Sequence, residues 1–241
     1  MSKNTPKKPP FLNSEKAQQI FNQAVPEYYQ ATNTIDRMSK AYDSLSKLHS
    51  TPDPELSRSA HALKVKREAE RALATLKKSV LTSFDRLSSR REGVYREAYK
   101  AAGYFEPLPE SALVEVRSRL ASLSQKQREG EIKSAFERGD MYIIRAVNEA
   151  ASPFLVGTHT LPLESMVEQH IRSVSPDLDE KIAEIDDLTK RLDFAADGFV
   201  DSVKQMRDPR AESEADEQRS ITDDATNGLN DALSGLDAVS E

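Results

Sequence analysis

The chain has 241 residues, 37% of them apolar and 31% charged, with a net charge of −6, no Trp and no Cys. Without Cys it has no disulfide, no thiolate nucleophile and no Cys-based zinc or iron–sulfur site. So polar a chain buries a thin core, which suits long helices packed along apolar stripes, and no apolar run approaches the roughly 20 residues that cross a bilayer.

Residues 1–12 carry Lys and Pro with no apolar stretch behind the charge, so they read as a disordered arm and not as a secretory signal. Asn13 or Ser14 can cap a first helix. Its apolar positions, Ala17, Phe21, Ala24, Tyr28, Ala31, Ile35, Met38, Tyr42 and Leu45, step by four and three. Pro26 lies inside the stripe and predicts either a kink or a longer helix starting there. A turn follows at 50–55, with Asp53 as cap and Pro54 at the first helical position. From there to about Ala102 a stripe of Leu73, Leu76, Val80, Phe84, Leu87, Val94, Ala98 and Ala101 predicts a helix about 70 Å long. Residues 13–103 thus read as a long helical hairpin.

Gly103 sits where a helix C-cap belongs. A third helix is expected from about Glu110 to Glu129, weakened at Gly130 and continued by 132–136. Gly139 and Asp140 mark a stop and a new cap, and Ile143, Ile144, Val147, Ala150 and Ala151 share one face. A short helix at 162–174 takes Thr160 as its candidate cap. Residues 104–175 are the most globular section.

Residues 176–207 form the cleanest heptad helix. Leu178, Ile182, Ile185, Thr189, Leu192, Ala196, Phe199, Val203 and Met206 keep four–three spacing and predict a helix-packing seam. The seam can close within one chain or between copies. Residues 208–241 read as an acidic, largely disordered tail. Its remnant Leu229, Leu233, Leu236 and Val239 is either a scatter of leucines or a helix that docks on a partner.

Charge is unevenly placed. Residues 176–241 hold 19 acids against 7 bases, whereas 64–100 hold 11 bases against 5 acids. Lys64, Lys66, Arg67, Arg71, Lys77, Lys78, Arg90 and Arg91 could meet nucleic-acid phosphates. The simpler and preferred reading is a charged exterior that pairs with the chain's own acidic C-terminal heptads.

No motif for catalysis emerges. No two glycines are spaced as in a dinucleotide or phosphate loop, and there is no G-x-S-x-G or H-E-x-x-H. His49, His61, His159 and His170 form no pair at helical ligand spacing, and Glu168 with His170 reads as a solvated helix face. Paired carboxylates such as Asp186–Asp187 and Asp223–Asp224 read as solvating charge. Neither catalytic residues nor a metal or cofactor are expected.

The segment 135–157 carries Gly139 and Asp140 at a helix start. An Ala-rich apolar helix with Ala146, Val147 and Ala150 follows, and the segment ends in Pro153, Phe154, Leu155 and Gly157. It resembles a pattern in uncharacterised helical proteins of tailed bacteriophages. The match covers about a tenth of the chain and is of low specificity. It implies a setting in virion structure or assembly and carries no catalytic residue. The expectation is an all-α, elongated long-helix bundle or coiled coil, with a small helical globular section and disordered termini. It would act in the host cytoplasm or virion, through protein partners in a homo-oligomer or larger assembly and without a membrane. Binding nucleic acid through 64–100 is the alternative.

Overall fold

The computed structural model describes residues 25–152 and 156–237, the stretch 231–237 as backbone alone. The N-terminal arm, the caps at Asn13 and Ser14, and Ala17, Phe21 and Ala24 lie outside the described residues, as do Pro153, Phe154 and Leu155. The protein is all-α, and the described residues contain no strand. Its helices are α1 (Pro26–Ser50), α2 (Arg58–Ala101), α3 (Glu110–Ser122), α4 (Gln125–Arg138), α5 (Met141–Asn148), α6 (Leu163–Val174), α7 (Leu178–Met206) and α8 (Pro209–Asp237).

The chain divides into two compact units. Met1–Leu87 and Asp187–Glu241 form the first, and Ser88–Asp186 the second.

In the first unit α1 starts at Pro26, which fixes φ and needs no amide partner at a helix N-terminus. Its buried residues Tyr28, Ala31, Ile35, Met38, Tyr42 and Leu45 follow the predicted stripe. They face Ala62, Val65, Ala69, Leu76 and Leu87 of α2 and Leu188, Leu192, Ala195, Phe199, Val203 and Met206 of α7, all of which are buried. One polar knot ties α1 to α2. The Thr34 hydroxyl lies 3.1 Å from Ser79 Oγ and 3.0 Å from Ser83 Oγ, and donates to the Gln30 carbonyl at 2.9 Å. Small hydroxyl side chains let the two helices approach closely, while each of the three hydroxyls keeps a partner. Thr34→Val is expected to cost about 1 kcal/mol in a denaturant titration, the net worth of a buried hydrogen bond. An unchanged midpoint would mean that the knot adds nothing.

α2 begins four residues later than expected. Asp53 accepts from the Glu55 amide at 3.1 Å in a turn of its own. The cap is instead Ser57, whose Oγ accepts from the Ala60 amide at 3.1 Å.

In the second unit the expected single helix over 110–129 is two helices. The break falls at Leu123–Ser124, and Gly130 stays helical inside α4. The cause is a side chain one turn further on. Arg128 donates to the carbonyls of Leu120 (2.7 Å), Ala121 (3.2 Å) and Leu123 (2.9 Å), which satisfies the open end of α3. Gln127 Oε1 accepts from the Ser124 amide and hydroxyl at the start of α4. α4 ends at Gly139, whose φ of 69° is the left-handed conformation that glycine adopts without strain. Asp140 then caps α5 through the amides of Tyr142 (3.2 Å) and Ile143 (3.4 Å). Arg117 donates to the Ala146 carbonyl (2.9 Å) at the end of α5. Leu120, Ile132, Ala135, Ile143 and Val147 make the core between α3, α4 and α5, with Met166 of α6 against it. The expected cap Thr160 instead donates to Glu129 at 2.8 Å, and α6 starts after Pro162.

Candidate interaction surfaces

Seven of the nine predicted seam residues, Leu178, Ile182, Ile185, Leu192, Phe199, Val203 and Met206, are at most 9% exposed. They are covered within the single chain, so they are not a free surface. The buried face is also wider than a two-stranded seam needs. Leu188, Ala195 and Ser202 are buried too, whereas Thr189 and Ala196 are half-buried. A face three residues wide per heptad touches more than one neighbouring helix. Four–three spacing alone does not reveal that extra row.

The basic stretch divides in two. Within the first unit Lys64 pairs with Asp53 (3.5 Å), and Lys66 with Glu212 (4.0 Å) and Asp216 (3.5 Å). Within the second, Arg90 reaches Glu97 at 3.2 Å, and Arg91 reaches Asp186 at 3.3 Å while lying over the Tyr95 ring. These contacts draw partly on the acidic C-terminal third. Arg67, Arg71, Lys77 and Lys78 are exposed and have no acidic partner among the described residues.

The largest departure from expectation is the tail. Residues Pro209–Asp237 are helical where a largely disordered segment was expected. Pro209 occupies the first helical position, and Asp208 Oδ1 accepts from the Ala211 amide at 3.1 Å. Arg58 holds the same carboxylate at 2.7 Å, and this pairing keeps Asp208 below its ordinary carboxylate range. One turn on, Glu212 is 4% exposed. Arg207 donates to both its oxygens, at 2.9 and 2.5 Å, and holds its pKa down. Ala211 and Ala215 complete the buried contact.

Beyond that anchor α8 changes character. Every residue from 216 to 230 is exposed, and Ile221 and Leu229 are 64% and 58% exposed. Leu229 of the expected docking set is thus presented on a helix. The side chains of Leu233 and Leu236, and Val239 altogether, lie outside the described residues.

Two cavities accompany these surfaces. In the first unit Met38, Leu73, Leu76, Val80, Leu81 and Phe199 are among the lining of an open apolar groove of about 450 Å³, with Lys77 at its edge. In the second unit a groove of about 590 Å³ lies between α4 and α6, with Lys133, Glu137, His170 and Ser173 in its wall. His170 is buried against the edges of Tyr104 and Phe136 and not on a solvated face. Desolvation pushes the Tyr104 hydroxyl up to about 12. Glu168 is exposed and pairs with Arg172 at 3.2 Å. Among the described residues no group of three or more His, Asp or Glu is placed to hold a metal ion, and no helix is long and apolar enough to cross a membrane.

Comparison with protein-family models, with curated proteins and with solved structures finds no match.

Proposed function

We propose that the chain is a non-enzymatic structural or assembly protein acting through helix–helix contacts. The bacteriophage resemblance gives the setting, a virion or scaffold-type component that acts in the host cytoplasm. The observation that carries this reading is α8. Its first turns are fastened by Arg58, Lys66 and Arg207, and its next fifteen residues are helical yet exposed on every side. An isolated helix of this length is marginal in water, so such a helix gains its stability from a surface that covers it. The test is capture from the native host with the full chain and with a chain ending at Ala215. Capsid or tail proteins held by the first and lost from the second are expected. Equal recovery by both would remove α8 as the contact.

A second reading follows from four of the cations of α2 that have no acidic partner among the described residues. Arg67, Arg71, Lys77 and Lys78 could track a phosphate backbone. Four phosphate contacts would make log K fall with log salt at a slope of about −3.6 on duplex DNA. No retention on a DNA column at low salt removes this reading.

A further inference from the structure

The first unit contains two exposed features that fit one another. One is the apolar groove between α2 and α7, where Leu81 stands 54% exposed beside Leu73, Val80, Ala196 and Val200. The other is the outer part of α8. Ile221, Ala225 and Leu229 recur at four-residue steps, so they lie along one helical face. The i, i+4, i+8 arrangement is that of an amphipathic helix that lays anchors into a groove.

The flanking charges match as well. On α2 the groove is bordered by Lys77 and Lys78, which are exposed and without an acidic partner among the described residues. On α7, at the level of Ala196 and Val200, Asp193 and Asp197 are exposed. On α8, at 100° per residue, Glu217 and Asp224 lie about 40° and 60° from Ile221 on one flank of its face, Thr222 and Thr226 border the other, and Arg219 is on the far side of the helix. A helix with an acidic flank and an uncharged one fits a groove with a basic and an acidic wall when its acidic flank meets Lys77 and Lys78.

The chain's own α8 is a poor occupant. It is one continuous helix from Pro209, fastened at Asp208 and Glu212, with no break to turn 216–230 back onto the bundle. The chain preceding α1 has the wrong charge for the α2 wall, because residues 1–24 hold four Lys and one Glu.

We infer that the Ile221–Ala225–Leu229 face of α8 in one copy seats in the α2–α7 groove of a second copy. This rests on the assembly reading above and names its first partner as the chain itself. Reciprocal seating closes a dimer, and one-way seating propagates.

The experiment is sedimentation velocity of the full-length chain across a concentration series, with Leu81→Glu and Leu229→Glu. Both sites are exposed, so circular dichroism is expected to stay as in the parent. The parent is expected to associate, and each variant to do so at least roughly thirtyfold more weakly, the scale of a lost interface anchor. Mixing the two variants is expected to restore association in part. One intact groove then meets one intact helix. A parent that stays monomeric throughout, association untouched by both variants, or a mixture no better than its components would each overturn the inference. A monomeric parent that still captures virion proteins from the host would sink the self-contact and leave the assembly reading standing. An associating parent that captures none would do the reverse.

Discussion

Val203→Asp in α7 is expected to unfold the first unit. Val203 is 1% exposed among the buried row Phe199, Ser202 and Met206. The substitution loses an apolar contact and buries a carboxylate in an apolar row, for a combined cost of more than about 4 kcal/mol. That is a large share of the roughly 5–15 kcal/mol by which such proteins are stable. The same change at Val114 in α3, which is 49% exposed, is expected to cost no more than about 0.5 kcal/mol. Circular dichroism and a urea titration of both variants decide it. Equal stability would mean that α7 is not packed as described.

The second large effect is expected at Glu212. Removing its carboxylate leaves Arg207 and Lys66 without their shared acceptor at the root of α8. A buried ion pair that loses one partner costs several kcal/mol, but the Arg207 side chain is 35% exposed and water takes over part of the loss. About 1–3 kcal/mol remains for Glu212→Ala. It is expected to appear as faster amide hydrogen exchange in residues 209–215, with α1 unchanged. The pH dependence has a definite sign. The folded carboxyl is held below its ordinary value of 4.5, chiefly by Arg207 with Lys66 assisting, against the opposing effects of burial and, less, of Asp208. Its contribution is therefore complete above that value and is lost as pH falls through the lowered pKa. Asp208 acts in the same direction from 3.8 through Arg58 and the Ala211 amide. Acid is thus expected to loosen the root of α8 in the parent and not in a Glu212→Ala, Asp208→Ala double variant. Acid loosening that persists in the double variant would place its origin elsewhere.

What was legible in the sequence depended on whether the cause was local. Gly139 and Asp140 were readable as a stop and a cap because both residue types act on the backbone next to them. The α7 face was readable because burial repeats with the helix period. The break between α3 and α4 was not readable, since Arg128 makes it by reaching back eight residues to Leu120. The helical state of α8 was hidden by its acidic, polar composition. Its anchor comes from Arg58 and Lys66, far away in the chain. The apolar groove was invisible for a similar reason. Met38, Leu81 and Phe199 come from three helices; Met38 and Phe199 read in sequence as ordinary core positions, and Leu81 falls outside the predicted stripe. His170 looked like a surface residue because its covering partners, Tyr104 and Phe136, are 66 and 34 positions away.

The first unit is built from the two ends of the chain, while the second is the contiguous stretch Ser88–Asp186. On a ribosome the two therefore have different clocks. The second unit can condense once its own residues have emerged. α1 and the early part of α2 must wait for α7, across about a hundred intervening residues, before Ile35 and Leu76 are covered. Until synthesis reaches the C-terminal third, half of a core stands open to solvent. A chain truncated or stalled before α7 is then a sticky one, and the emergence of α7 becomes the step that closes the bundle.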